Sequence, residues 1–327
     1  NKGLKGIHLS PDTEFKKGYT VYKNKDDPVF VVPHSGPALE IATSRDDNAE
    51  TVASLCWKKE GGVLIVSGIP RRRVWGIDFN RDIPNIDKAI DTSIWMNEDS
   101  EKMFEYKQKY AWVAFDEKDY EAKLKIYQNF WADVNKGKKI IFVHRSFPKI
   151  RSVPSVMDVV TFGGEGVKKK VIQEIVSDVN SKYFDFFQRI DKDYKQSIVL
   201  ETKRTILDTL RIFKSFDMGK INGWHKYYLE KDLEKINEYC DKEMLEELKK
   251  NFTPQNYLIA VESALKNIPD PKITIENVFD GTFALGPKRK LFPLQGKTII
   301  SVESSRFMNF WHPDTASEMI LDIVRRL

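Results

Sequence analysis

Five histidines are spread over the 327 residues, and two of them, His34 and His144, stand just beyond runs of apolar residues that read as strands. Asn80-Arg81 and Glu303 hold the same position after two further runs, 76–79 and 298–302. In an open parallel sheet, ligands bind beyond the carboxyl ends of the strands, so groups at such ends can meet in space. Two imidazoles and one carboxylate with a fourth position open make a catalytic zinc set. Zinc brings the pKa of a bound water to roughly 7. A neighbouring carboxylate can then take the proton and pass it to a leaving amine. Arg71-Arg72-Arg73 offers cations for an oxyanion, and Arg81 offers a two-pronged grip on a substrate carboxylate.

Taken singly, each residue has an ordinary structural use. A strand-end histidine commonly sits in a hydrogen bond, and Asp46 and Asp47 before a helix commonly cap it. An arginine triplet is often solvated surface, and Glu303 at a strand end is often salt-bridged. His8, His225 and His312 have no matching partners in this pattern.

The elements that must position these groups alternate. Val29-Phe30-Val31-Val32 lies between prolines and leads to His34-Ser35-Gly36, a buried strand ending in a loop. Ala49, Val52, Ala53, Cys56 and Trp57 then recur at helical spacing, with acids at the start and Gly61-Gly62 at the stop. Further strands are expected at 63–66, 76–81, 138–143, 158–162 and 297–303, with helical periodicity over 100–135 and a closing helix over 315–327. This alternation predicts an α/β fold, a mainly parallel mixed sheet flanked by helices. From about residue 167 to 269 the pattern is helical throughout, marked by Ile172, Ile175, Val176 and Val179, then Ile206 and Leu210, then Leu229, Leu233 and Ile236. The expected organisation is one α/β domain, 1–166 and 270–327, with a helical insertion over 167–269.

Composition narrows the classes. The chain is 41% hydrophobic and 31% charged, which excludes collagen-like, low-complexity and wholly disordered proteins. At this length folding buries roughly three quarters of the unfolded surface, so no disulfide staples are needed. No stretch approaches the ~18 uninterrupted apolar residues of a membrane span. Cys56 and Cys240 are too far apart to suggest a disulfide framework or an all-cysteine zinc site. A net charge of +5, dispersed in mixed-sign runs, suits a small anion better than a nucleic acid. The cytoplasm is the expected location, although a leader already removed would leave no trace in this sequence.

Read in order, the segments Pro33-His34-Ser35-Gly36, Asp47, Ile69-Pro70-Arg71, Ile77-Asp78-Phe79-Asn80-Arg81, His144-Arg145-Ser146-Phe147-Pro148 and Ile300-Ser301-Val302-Glu303 resemble the N-formylglutamate amidohydrolase family. That family is similar to the zinc carboxypeptidases in fold and site plan. The resemblance covers about 28–166 and 278–327. It implies Zn²⁺ held by His34, Asp47 and His144, with Asp46 or Glu50 as substitutes for the acid. It implies Glu303 as general base and one arginine of 71–73, with Arg71 favoured, at the oxyanion. Asn80 and Arg81, with Arg72 and Arg73 nearby, would anchor the substrate. The sequence departs from the family where Arg145 follows His144, and where Ser301 and Val302 precede Glu303 in place of a glutamine. The implied reaction is hydrolysis of the amide of a small anionic N-acyl amino acid such as N-formyl-L-glutamate. Competing readings are a carboxypeptidase-like peptidase acting on short peptides and a non-catalytic protein whose helical insertion binds a partner. The substrate's acyl group and the oligomeric state are not readable from the sequence.

Overall fold

The computed structural model describes residues 13–37, 45–96, 100–282, 284 and 296–327; His8 lies outside them. Eight strands form one mixed, mostly parallel sheet: β1 (Thr13–Lys16), β2 (Tyr19–Lys23), β3 (Val29–Val32), β4 (Val63–Ser67), β5 (Lys139–Ser146), β6 (Ser155–Val160), β7 (Lys272–Ile275) and β8 (Thr298–Ser305). Their order is β1-β2-β4-β3-β5-β8-β6-β7. The pairs β4/β3, β3/β5, β5/β8 and β6/β7 run parallel, while β1/β2, β2/β4 and β8/β6 run antiparallel. Twelve helices are found among the described residues.

The central strands carry apolar side chains on both faces, as a sheet covered on both sides requires. On β3, Phe30 and Val32 face one core and Val29 and Val31 the other. The first core takes helix Ala49–Glu60 through Val52, Ala53 and Cys56, and helix Pro313–Val324 through Met319, Ile320 and Ile323. The second takes helix Glu117–Val134 through Tyr127, Phe130 and Trp131. Burying one such aromatic side chain contributes on the order of 2–3 kcal/mol. Helix Ala49–Glu60 stops at Gly61 and Gly62, both at positive φ, and a Cβ on Gly62 would stand 2.0 Å from the Pro28 carbonyl oxygen. Only glycine lets the chain turn back there into β4.

Alternation along β5 puts Ile140 and Phe142 on the second core, so His144 continues the same face past the end of the apolar run. Glu303 pairs in register with His144 on one side and with Asp158 of β6 on the other. Three ionisable side chains therefore line one face across β5, β8 and β6.

Helices Lys169–Lys182, Phe184–Phe213, Gly223–Tyr239, Lys242–Lys250 and Pro254–Asn267 fall between β6 and β7. They have no separate core: Tyr194, Leu229 and Tyr257 belong to the same apolar cluster as Val156, Ile273 and Val302 of the sheet.

Residues 76–81 correct the sequence reading, since they form no strand. Their backbone donors are used elsewhere, Ile77 N on the Pro70 carbonyl (2.9 Å), Asp78 N on that of Ala111 (2.8 Å) and Arg81 N on that of Asp78 (3.1 Å). The segment is a folded loop braced on residues 110–114. The expected helix over 100–135 is two helices, Glu101–Lys109 and Glu117–Val134. The β1–β2 hairpin and β7 carry no signal in the sequence reading. Among the described residues no helix is long and apolar enough to cross a membrane.

Candidate metal centre

β3 ends at Val32, and the next two residues turn so that the His34 side chain comes to lie under the sheet edge, 2% exposed. The His34 carbonyl accepts the backbone N–H of Asp46 (2.9 Å), which fixes that acid beside the strand end. His144 lies within β5, which runs on to Ser146 instead of ending at residue 143 as the sequence suggests, and it completes a buried triplet: ligand atoms of His34, Asp46 and His144 all lie within 4.8 Å of one another. The imidazole centroids are 4.8 Å apart. Asp46 Oδ2 is 3.2 Å from His34 Nδ1 and 2.9 Å from His144 Nδ1. Two imidazoles and a carboxylate held this way could bind a metal ion.

The far ring nitrogens are also engaged. His34 Nε2 lies 3.0 Å from Asp78 Oδ1, and His144 Nε2 lies 3.0 Å from the Asn80 side-chain amide. A ligating imidazole usually passes its other N–H to a carboxylate or carbonyl, which fixes the tautomer and the ring. Asp78 serves His34 in that way. Asn80 presents Nδ2 to His144 and leaves its buried Oδ1 without a partner. A half-turn of this amide brings Oδ1 to an Nε2–H and frees Nδ1 to ligate, so the orphaned oxygen fits His144 as a metal ligand.

The acid in the triplet is Asp46, and this corrects Asp47. Helix Ala49–Glu60 begins later than the sequence suggests, with Asn48 at φ 60° before it. The chain turns at this point, and Asp47 points away to Arg45 and Arg145, 3.9 Å from each. Glu50 pairs with Arg45.

The arginines divide. Asp78 Oδ2 accepts Arg71 Nε at 2.9 Å and meets Arg73 Nη2 at 3.0 Å. Arg73 gives its remaining donors to the carbonyls of Tyr110, Arg71 and Lys107, which makes it a structural brace. Burial pushes its pKa down to about 10. Arg81 spends Nε and Nη1 on the carbonyls of Lys107 and Asn80. Arg72 is half-buried. Arg71 keeps its side chain 28% exposed, against 8% for Arg73, and has only Nε committed to Asp78.

Burial works against the charge on Asp46, but hydrogen bonds from His144 and His34 outweigh it and hold the carboxyl well below the usual carboxylate range. Burial acts the same way on Asp78, and there Arg71, Arg73 and His34 prevail. Glu303 has the opposite balance. Burial raises it to about 7, with Asp46 and Asp158 adding to the rise and His144 and Arg71 opposing it. That value is close to the working pH of a general acid or base.

His225 and His312 play no part in the centre. His225 packs edge-on against Phe213 and His312 against Phe186. No family model matches the chain, and no curated protein or solved structure matches it.

Proposed function

We propose that this chain is a zinc-dependent amidohydrolase of carboxypeptidase-like plan, acting on a small anionic N-acyl amino acid such as N-formyl-L-glutamate. The observation that carries the reading is the convergence of His34, Asp46 and His144 within 4.8 Å, each ring backed by a second polar side chain. His34, Asp46 and His144 would hold the zinc ion, which when bound would supply a Lewis acid and lower the pKa of water toward roughly 7.

The chain's own groups supply the rest. Glu303, in register beside His144, takes a proton from water and returns it to the departing amine nitrogen. Arg71, aimed by Asp78, meets the negative charge that develops on the acyl oxygen. Removing one such donor costs roughly 3–4 kcal/mol in comparable sites. Asp78 and Asn80 keep the two imidazoles from rotating. Arg73 and Arg81 are engaged by backbone carbonyls, so Arg71 is the guanidinium of this loop that favours an anionic substrate.

The test is zinc quantitation followed by a screen of N-acyl amino acids and short peptides, with Glu303→Gln as control. About one zinc per chain, with turnover lost in Glu303→Gln, supports the reading. Wild-type turnover in that variant, or a chain that takes up no divalent metal, overturns it.

A further inference from the structure

The ends of β5 and β8 border a cavity of about 340 Å³ on the side of the first core, whereas His144 faces the second. Pro148 lies just beyond β5, and Arg306 follows β8 directly. Helix Phe184–Phe213 supplies another wall through Leu200 and Arg204. Phe310 and Trp311, at the end of helix Arg306–Trp311, supply the next. A cavity of this volume at the carboxyl ends of strands falls within the range of small-molecule sites, roughly 300–1,000 Å³.

Two properties mark the lining. The first is apolar surface left uncovered: Trp311 is 74% exposed, Leu200 58% and Phe310 44%. A single apolar residue at a surface is ordinary, but three around one cavity make a patch that a ligand can cover. The second is positive charge. One buried carboxylate, that of Glu201, serves two guanidinium groups: Arg204 Nη1 donates to it at 3.4 Å, and Arg306 Nη1 stands 3.9 Å away. Asp208 lies 3.8 Å from Arg204 but is closer to Arg211, at 3.1 Å. Lys149 Nζ adds a further cation, donating to the Glu201 backbone carbonyl at 3.0 Å. The Arg306 guanidinium carbon lies 5.1 Å from the centroid of the Phe310 ring, which sets the cation beside the apolar patch.

We propose that this cavity is a second ligand site, separate from the metal centre, for a small free carboxylate that carries an aromatic ring. Arg306 forms a two-pronged pair with the carboxylate, a geometry that a planar guanidinium favours. Trp311 and Leu200 cover the ring. Glu201 opposes an anion, so the ligand meets the guanidinium from the solvent side, where the Arg306 side chain is 33% exposed. Both halves of the ligand are needed. A simple anion gains nothing from the apolar patch, and a neutral ring leaves the guanidinium to water.

The test is fluorine NMR of the full chain carrying fluorinated tryptophan, with Trp311→Phe identifying the Trp311 signal. Following that signal separates this cavity from any carboxylate bound at the metal centre. The probes are phenylacetate, its neutral counterpart phenylacetamide, and acetate. Phenylacetate should move the Trp311 signal saturably and bind about tenfold more tightly than either of the others. Arg306→Gln should bring phenylacetate and phenylacetamide to the same affinity. Should that variant not fold, Leu200→Ser, at an exposed position, should weaken phenylacetate by about threefold and leave acetate unchanged. The proposal is overturned by a Trp311 signal that stays still in millimolar phenylacetate. It is overturned equally if either partial probe binds as tightly as phenylacetate, if Arg306→Gln keeps the wild-type preference, or if Leu200→Ser binds phenylacetate as the wild type does.

Discussion

Asp78 Oδ1 sits 3.0 Å from His34 Nε2 while the other oxygen of the same carboxylate holds Arg71 Nε at 2.9 Å, so one fully buried acid aims both a candidate metal ligand and a half-buried cation beside it. Removing its charge should therefore have two effects. Asp78→Asn should weaken metal binding by about 10–100-fold, the usual loss when a partner behind a ligating histidine is removed. It should also destabilise the fold by about 3–5 kcal/mol, because Arg71 and Arg73 lose the carboxylate that compensates their burial. Metal affinity by competition with a chelator and stability by denaturant unfolding check the two effects. A variant with wild-type metal affinity would show that His34 needs no such support.

The assignment of the acid separates two adjacent residues. Asp46→Asn should lose the metal, since the remaining amide oxygen is a weaker, uncharged donor between the imidazoles. Asp47→Asn should retain it, because Asp47 is directed to Arg45 and Arg145. Elemental analysis after zinc loading and dialysis decides between them. Metal lost from the Asp47 variant and kept by the Asp46 variant would reverse the assignment.

Much of this centre is legible in the chain because strand ends are legible. His34 and His144 follow unbroken apolar runs, and a parallel sheet brings such ends to one edge. The choice between Asp46 and Asp47 was not legible, since neighbouring acids before a helix look alike until the turn at Asn48 fixes which one faces inward. Asp78 carries a sequence signal of its own. An acid between Ile77 and Phe79, inside an apolar run, needs a partner to be buried, and three arginines lie five to seven positions before it. The run itself misled: Ile77 and Phe79 do enter the second core, but from a loop, because their segment bonds to residues 110–114 instead of to a strand.

Glu303 makes a prediction about stability that is independent of turnover. Its folded pKa is raised to about 7 from the ordinary 4.5, first by burial. Between those two values the folded chain binds more protons than the unfolded chain, so stability falls as pH rises through the window. The favourable contribution is complete below about pH 4.5 and gone above about 7. Glu303→Gln cannot ionise and should lose this slope. In metal-free protein, the variant should gain about 2–3 kcal/mol on the wild type between pH 4.5 and 7.5. Denaturant unfolding at several pH values measures the difference, and parallel curves for the two chains would show that the carboxyl is not held neutral.

Lys149 makes the complementary case for a cation. Its ammonium donates to the Glu201 carbonyl at 3.0 Å and to the Thr205 hydroxyl, and burial pushes its pKa down to about 8 from 10.5, with the Glu201 carboxylate opposing the fall. Here the unfolded chain binds more protons between pH 8 and 10.5, so this residue's contribution to stability rises with pH across that window. Below pH 8 the folded protein carries the full cost of a buried charge. Lys149→Met removes the titration along with two hydrogen bonds, so the offset between the chains at neutral pH has no fixed sign, but the slope does. Relative to the variant, the wild type should gain about 2–3 kcal/mol between pH 8 and 10.5. Tyrosine ionisation tilts both curves equally in that range and cancels in the difference. Unfolding free energies that keep a constant gap across the window would mean that Lys149 is solvated well enough to titrate normally.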